Sequence, residues 1–262
     1  MSNCSDKSEY GEASDYEKLG YGPSGSGIIK GTVLDNASDA LSGVSVTFAK
    51  SGTTSSVVTT VDNGTYSKTS LSSGTYTLTY TKSGFIGTTL SATLTADNET
   101  LEVDTVQLFA DTSCASTGTI SGTIKDAVSN SGVANVFLRA RSGMNTTSGT
   151  IVETDSTIDN GNYLLNSMSA GWYSIEASKS GYTATTFNVF ACGNQSEQNG
   201  SISPTLSSGS LRIVLSWKSN VDLDATSQGQ TMPVGGFTYI MAKRDFTMIL
   251  TLTPPVGPRA TT

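Results

Sequence analysis

The sequence contains no histidine among its 262 residues, and this absence excludes several kinds of chemistry from the chain. Histidine supplies the general base of Ser-His-Asp and Cys-His sites and is the commonest metal ligand. The remaining side chains form no recognisable nucleophile-base pair or metal-ligand cluster in the sequence. We therefore predict a chain that is not an enzyme and that uses no cofactor.

Basic residues are also scarce, since 15 Lys and Arg stand against 22 Asp and Glu. The net charge is −7 and the sequence pI is about 4.5. Nucleic acids and anionic lipids are bound through basic patches that displace counterions, and the sequence has no such patch. This predicts that nucleic acid is not a partner.

Charged residues of either sign make up only 14% of the chain. An average soluble protein has roughly 25%. Ser, Thr, Gly and Asn are plentiful instead, while Pro occurs 6 times and Cys 3 times. This composition is typical of exported β proteins with hydroxyl-rich surfaces, and it favours a location at the outer membrane, at the cell surface or in the periplasm.

A short pattern occurs twice in the chain. Residues 62–66 (DNGTY) and 159–163 (DNGNY) each join an Asn-Gly pair, which tolerates the positive φ of a hairpin turn, to an aromatic core residue. From this turn onward, equivalent positions of the two copies lie 97 residues apart, as the pairs 62 and 159, 74 and 171, and 82 and 179 show. The chain therefore contains a duplicated β module of roughly 100 residues.

The clearest strand follows the first of these turns. Tyr76, Leu78 and Tyr80 alternate with Thr residues, which predicts a strand that buries its aromatic side. No part of the chain has a sustained helical period, and Thr is too abundant for stable helices. These patterns predict an all-β protein.

Five short motifs follow one another in the same order in the two copies. They are 31–33 (GTV), 41–44 (LSGV), 62–66 (DNGTY), 71–76 (LSSGTY) and 82–85 (KSGF), then 122–124 (GTI), 132–133 (GV), 159–163 (DNGNY), 168–173 (MSAGWY) and 179–182 (KSGY). This order resembles the carboxypeptidase regulatory-like domain. The resemblance covers residues 27–205 and implies a transthyretin-like, prealbumin-type sandwich of seven strands in each copy. For function it implies only a non-catalytic accessory, surface or adhesive module.

The predicted fold class is all-β, with two tandem seven-stranded Ig-like or transthyretin-like β-sandwiches plus an incomplete third segment. The second copy carries about six extra residues around 142–149, which should lengthen a hairpin. The predicted domains are a flexible leader at 1–26, sandwiches at 27–109 and 118–205 joined by a linker at 110–117, the start of a third β module at 206–224, and an out-of-frame or disordered tail at 225–262.

The third segment has its own pattern. Residues 211–224 resemble the start of another bacterial surface β module, and the match stops at Asp224. A shift of the reading frame by two bases at that point restores later motifs of the module. We therefore interpret residues 225–262 as out-of-frame translation, which would leave residues 211–215 as an orphan strand. The alternative is a divergent but real C-terminal pair of strands.

Cys4 is a candidate lipidation site. The segment Met1-Ser2-Asn3-Cys4 looks like the end of a bacterial lipoprotein signal that has lost its hydrophobic part to a late start codon. A lipid on Cys4 in the full-length precursor would attach the protein to a membrane. The alternative is an incidental exposed thiol.

Cys114 and Cys192 are a candidate disulfide. Cys114 lies just before the first strand of the second module and Cys192 just after its last strand, so the two would meet at one end of a sandwich. An exported chain permits this bond. The alternative is two free thiols.

Trp172 is a candidate glycan contact. Trp172 alternates with Tyr173, so one of the two rings must point away from the core, and the pattern favours a buried Tyr173. A partly buried rim Trp is the alternative. The sequence thus favours a non-enzymatic surface or periplasmic protein of structural or adhesive modules, whose partner would be a surface glycan or protein. The second hypothesis is a carbohydrate-binding accessory region of a larger secreted enzyme such as a peptidase.

Overall fold

The computed structural model describes residues 25–114 and 117–206, together with the backbone of three further strands within residues 211–252. The chain divides into two compact units, one of residues 1–115 and 143–146 and the other of residues 116–142 and 147–262. Apart from one 3-10 turn at Asp111–Ser113, every regular element in the described part is a β-strand. The prediction of an all-β fold is therefore confirmed.

The first unit is a sandwich of two four-stranded sheets. Its strands are β1 (Gly27–Leu34), β2 (Ser45–Ala49), β3 (Ser56–Thr59), β4 (Thr65–Leu71), β5 (Gly74–Thr81), β6 (Thr88–Leu94), β7 (Thr100–Glu102) and β8 (Val106–Gln107). One sheet has the order β4-β1-β7, with β8 also paired to β1, and the other has the order β3-β2-β5-β6. Strand β1 is antiparallel to β4 and parallel to β7 and β8.

The core of this unit follows the period-two pattern of β5. Tyr76, Leu78 and Tyr80 are 5%, 0% and 0% exposed, while the Thr residues between them point outward. Full burial of a side chain such as Leu78 stabilises the fold by about 1.5–3 kcal/mol. The ring of Tyr66 packs edge to face between Phe48 and Tyr80, with centroid distances of 6.1 and 5.8 Å.

The second unit repeats this arrangement. Its strands are β9 (Thr117–Asp126), β10 (Phe137–Ser142), β11 (Glu153–Ser156), β12 (Asn162–Ser169), β13 (Gly171–Ser178), β14 (Tyr182–Thr183), β15 (Thr185–Ala191) and β16 (Gly200–Pro204). Its sheets have the orders β12-β9-β16-β14 and β11-β10-β13-β15. Strand β9 is antiparallel to β12 and parallel to β16, as β1 is to β4 and β7.

The extra residues of the second copy lie where the sequence predicted them. The connection from β2 to β3 occupies residues 50–55, whereas the connection from β10 to β11 occupies residues 143–152. The longer connection is the lengthened hairpin. The strands on either side pair in the same way in both units.

The two Asn-Gly turns are built alike. Gly64 and Gly161 have φ values of +74° and +81°. A Cβ at these positions would lie 2.4 Å from the carbonyl oxygen of Val33 or 2.5 Å from that of Ile124. Both the backbone conformation and the close approach of a neighbouring strand therefore require glycine.

A further sheet follows the two sandwiches along the chain. Strand β17 (Leu211–Trp217) pairs antiparallel with β19 (Phe246–Leu252), which also pairs with β18 (Phe237–Met241). Residues 211–215 are thus not an orphan strand, because β19 supplies a partner. The pair β18 and β19 agrees with the alternative of a C-terminal strand pair. The reading frame itself stays a prediction.

Candidate functional site

Trp172 lies on β13, on the face of the sheet that points away from the core. It is paired in register with Phe190 on β15, and the two rings meet edge to face with centroids 5.4 Å apart. Tyr173 is only 7% exposed, and its hydroxyl donates to the carbonyl oxygen of Ser169 at 3.0 Å. The inward Tyr and outward, half-buried Trp are the arrangement that the alternation predicted.

The same face carries a cluster of three charged groups. Arg141 donates to one carboxylate oxygen of Glu176 at 2.8 Å, and Arg139 donates to the other at 3.3 Å. Strand pairing explains the contact, since Arg139 lies opposite Glu176 and Arg141 is two residues further along β10. The guanidinium of Arg139 also lies 4.6 Å from the centre of the Phe137 ring.

Arg141 is unusually enclosed for a charged residue. Its side chain is 10% exposed, and its buried Nε has no hydrogen-bond partner among the residues that the structure describes. Between Trp172 and Glu176 on the same face, the buried hydroxyl of Ser174 donates to Oδ1 of Asn188 at 3.0 Å. Three aromatic rings, a buried cation and an amide therefore share this face, which we call the outer face of the second sandwich.

Two buried hydroxyls tie strands together at equivalent places. In the first unit, Oγ1 of Thr60 donates to the carbonyl oxygen of Leu41 at 2.7 Å and accepts from the N–H of Val44 at 2.9 Å. In the second unit, Thr157 makes the same two bonds, to Val133 at 2.6 Å and from Val136 at 2.9 Å. In each unit the hydroxyl thus supplies a hydrogen-bond partner to one backbone carbonyl and one backbone N–H that strand pairing does not satisfy.

The two Lys-Ser-Gly segments are also structural. Nζ of Lys179 donates to the carbonyl oxygen of Ala134 at 2.6 Å and lies 5.8 Å from the centre of the Tyr182 ring. In the first unit, Lys82 donates to the carbonyl oxygen of Ser42 and lies 6.0 Å from the centre of the Phe85 ring. An ammonium group that bonds a carbonyl and faces an aromatic ring is held by both contacts.

An open depression of about 450 Å³ lies beside Lys82. Its lining consists of Gly43, Thr81, Lys82, Ser83, Phe85 and Gly87. The lining includes no carboxylate, and the ammonium group of Lys82 is bound to the carbonyl oxygen of Ser42. Lys82 therefore acts as a structural donor at this depression.

Tyrosine hydroxyls form a further set of buried contacts. The hydroxyls of Tyr66 and Tyr80 lie 2.6 Å apart, and burial raises the pKa of Tyr66 to about 12. Burial likewise raises the pKa of Tyr80, and so does the neighbouring Tyr66. In the second unit, Tyr163 donates to the carbonyl oxygen of Gln198 at 2.5 Å, and burial raises its pKa as well. These phenols are held in the neutral form.

The Asp-Asn-Gly turns use their amide oxygens internally. Oδ1 of Asn63 accepts from the N–H of Thr65 at 3.1 Å, and Oδ1 of Asn160 accepts from the N–H of Asn162 at 3.2 Å. Over the residues that the structure describes, no three His, Cys, Asp or Glu side chains are grouped so that they could hold a metal ion. The turns are explained by hairpin geometry.

The cysteine predictions fall in different parts of the chain. Cys114 and Cys192 are both disulfide-bonded in the structure. Cys4 lies outside the described residues, so its lipidation stays a prediction. No helix in the described part of the chain has the length and apolar character needed to cross a membrane.

Several of these residues had no role in the sequence analysis. In the sequence, Arg139 and Arg141 are simply two residues apart. Only the pairing of β10 with β13 places both guanidinium groups beside Glu176. Thr60 and Thr157 are two among many Thr residues. The one usable signal was the repetition of Lys82 and Lys179, which the sequence showed without revealing the carbonyl each lysine binds.

A family model for the carboxypeptidase regulatory-like domain matches residues 28–108 and 119–203. The chain belongs to this family. The predicted tandem pair of carboxypeptidase regulatory-like domains is therefore confirmed. No curated protein sequence matches the chain.

Solved structures similar to these carboxypeptidase regulatory-like domains have low sequence identity. The Bacillus anthracis TIE protein is 16% identical with a TM-score of 0.29, over 72% of this chain and 35% of its own. A streptococcal ancillary pilin is 15% identical with a TM-score of 0.28, over 69% and 62%. The shaft pilin SpaA from Lactobacillus rhamnosus GG is 13% identical with a TM-score of 0.28, over 70% and 99%. The chain thus spans about a third of the first protein and under two thirds of the second.

Proposed function

We propose that the chain forms non-enzymatic structural modules of an exported bacterial protein, located at the outer membrane, at the cell surface or in the periplasm. The observation that carries the proposal is that equivalent polar side chains form hydrogen bonds with the backbone in both copies. Thr60 and Lys82 bond backbone groups in the first domain, and Thr157 and Lys179 do so in the second. Groups held in this way in both copies serve the fold, and the surfaces between them act as spacers or adhesive faces.

Lipidation of Cys4 would attach these modules to a membrane. The test uses the full-length gene product, tagged at its C-terminus, in the bacterium that encodes it. We expect protease to cleave the protein either in intact cells or once the outer membrane is permeabilised, and a lipid label to be lost in Cys4→Ser. A protein that stays protected until the cells are lysed and fractionates with the cytosol would contradict the proposed location.

A carbohydrate-binding accessory role is the second candidate, because the outer face of the second sandwich combines aromatic and polar groups. The edge-to-face pair of Trp172 and Phe190 lies beside the amide of Asn188 and the Arg139–Glu176 pair. Sugars are bound by aromatic faces flanked by hydrogen-bonding side chains. This role would fit either a surface protein or an accessory region of a larger secreted enzyme such as a peptidase.

The matched test of this second candidate is a glycan array with three forms of the chain. Trp172→Ala should abolish any glycan signal, and Ile158→Ala should leave the signal intact, because Ile158 is an exposed apolar residue on a different part of the domain. Absence of glycan binding by the unsubstituted chain would remove this candidate and leave the structural one.

A further inference from the structure

Strand β3 forms an edge of the first sandwich. Among the strands that the structure describes, it is the terminal one of the order β3-β2-β5-β6 and pairs only with β2. The hydrogen bonds of Thr60, which directly follows β3, fix the direction of the backbone groups. Its N–H donates to the carbonyl oxygen of Val44, and its carbonyl oxygen accepts from the N–H of Gly43. The backbone groups of Thr60 therefore point toward the β2 side. Backbone groups alternate in direction along a strand. The N–H and C=O groups of Val57 and Thr59 therefore point away from the sheet.

The chemistry of this edge is suited to pairing with another strand. Residues 53–61 read TTSSVVTTV, with no charge and no proline, and seven of the nine are β-branched. Val57 and Val61 are each 58% exposed. Proteins commonly block an exposed edge strand with charges, proline or a bulge, because an open edge is a template for a further strand. The β3 edge has none of these blocks.

The equivalent edge of the second sandwich is protected. Strand β11 pairs with β10 as β3 pairs with β2, and it reads ETDS. The carboxylates of Glu153 and Asp155 stand where β3 has Ser56 and Val58. One copy of the duplicated module thus carries charges on this edge, whereas the other copy carries only uncharged, β-branched side chains.

The edge is also rigid. The two hydrogen bonds of Thr60, to Leu41 and from Val44, hold the end of β3 against its own sheet. The first domain therefore presents the outward groups of Val57 and Thr59 in an ordered conformation. A strand that pairs there loses less conformational entropy than it would by pairing with a flexible segment.

We propose that β3 is an association edge through which two copies of this chain pair antiparallel, β3 against β3, to join their sheets. With Val58 at the twofold axis, the outward backbone groups of Val57 in one copy face those of Thr59 in the other. Both carry β-branched side chains, which pack well as cross-strand pairs.

A second copy meets the least charge repulsion at this edge. At a net charge of −7, two copies repel each other over most of their surfaces, and residues 53–61 form an uncharged region. This region lies between Lys50 and Asp62. Antiparallel pairing keeps the Asp62 carboxylates of the two copies at opposite ends of the paired strands, whereas parallel pairing would bring these like charges together.

The test measures self-association of the full chain by sedimentation velocity over a range of concentrations. We expect a reversible monomer–dimer equilibrium. Val57→Lys should weaken the dimer by about tenfold or more, because it places like charges across the twofold axis. The matched control is Thr154→Lys, at the equivalent exposed position of β11, and it should leave the dimer unchanged. Thermal unfolding of both variants checks that each still folds.

Amide hydrogen exchange locates the contact. The amides of Val57 and Thr59 should become more protected as the protein concentration rises, while those of Thr154 and Ser156 should not change. A chain that remains monomeric at its solubility limit would overturn the proposal. So would a dimer that survives Val57→Lys, or one that Thr154→Lys disrupts, because either result places the contact on another surface.

Discussion

Thr157 holds in the second domain the two backbone bonds that Thr60 holds in the first. Each residue is less than 5% exposed, and each hydroxyl joins a loop carbonyl to the N–H of the residue just before the next strand. The connection that precedes Thr157 is longer than the one that precedes Thr60, yet the bonds are the same. The hydroxyl is therefore part of the module and does not depend on the hairpin that leads to it.

Replacement of either hydroxyl by a methyl group should destabilise its domain. Thr60→Val and Thr157→Val preserve shape and leave a buried N–H and a buried carbonyl unpaired, so we expect a loss of about 2 kcal/mol. Thr77→Val, on the exposed side of β5, is the control and should change stability by less than about 0.5 kcal/mol. Chemical denaturation measures the free energy of unfolding of each of these variants. Equal stabilities for Thr60→Val and Thr77→Val would contradict the assigned role.

The lysines of the two Lys-Ser-Gly segments should contribute more than an exposed ion pair does. Lys179→Met and Lys82→Met each leave a backbone carbonyl without its charged donor, at a cost of about 2 kcal/mol. Lys30 pairs with Glu102 at 3.0 Å, and both side chains are largely exposed. Lys30→Met should therefore cost under about 1 kcal/mol, because solvent screens such a pair. A larger loss for Lys30→Met than for Lys179→Met would overturn this ranking.

Alkaline pH should destabilise the first domain. Burial raises the pKa of Tyr66 from 10.0 to about 12, so the unfolded chain loses this proton first. The contribution of Tyr66 to the free energy of unfolding is fully present below pH 10. It is lost as the pH rises from 10 toward 12, which lowers the stability by roughly 2–3 kcal/mol.

Denaturant unfolding at a series of pH values tests this expectation. Tyr66→Phe should reduce the alkaline loss of stability, since the residue that titrates is gone. Tyrosinate absorbance of the native chain should rise in more than one step. A single step near the ordinary tyrosine pKa, with Tyr66 ionised along with the exposed tyrosines, would contradict the prediction.

Removal of the carboxylate between two arginines should be costly. Glu176→Gln leaves Arg141 largely buried without its counter-ion, and loss of one partner of a buried pair costs about 3–5 kcal/mol. Partial exposure of Glu176 places the expected loss at the lower end of this range. The control is Glu102→Gln, which breaks an exposed pair. Similar stabilities for these two variants would show that the outer face does not need its charge pair.

The bond between the cysteines can be tested under oxidising conditions. Non-reducing peptide mapping should recover the Cys114 and Cys192 peptides linked, and Cys192→Ser should cost about 2–5 kcal/mol. Labelling of Cys114 and Cys192 by a thiol reagent in the unfolded, unreduced chain would contradict the bond.

The sequence by itself determined the duplication, the all-β class and the inward side of each clear strand. Those features are local: an Asn-Gly pair needs positive φ, and a period of two places Tyr76 and Tyr80 on one side of a strand whatever that strand pairs with. Side-chain alternation also separated Trp172 from Tyr173 before any neighbour was known.

Tertiary structure alone decided which polar residues matter. Thr60 and Thr157 resemble every other Thr in the chain until a distant loop brings a carbonyl to each hydroxyl. Arg141 and Glu176 meet because β10 pairs with β13 in one register, and a slip by one residue would place the two on opposite faces. Open and protected edges likewise exist only once strand order is known, since β3 and β11 become edges through the pairing of the other strands.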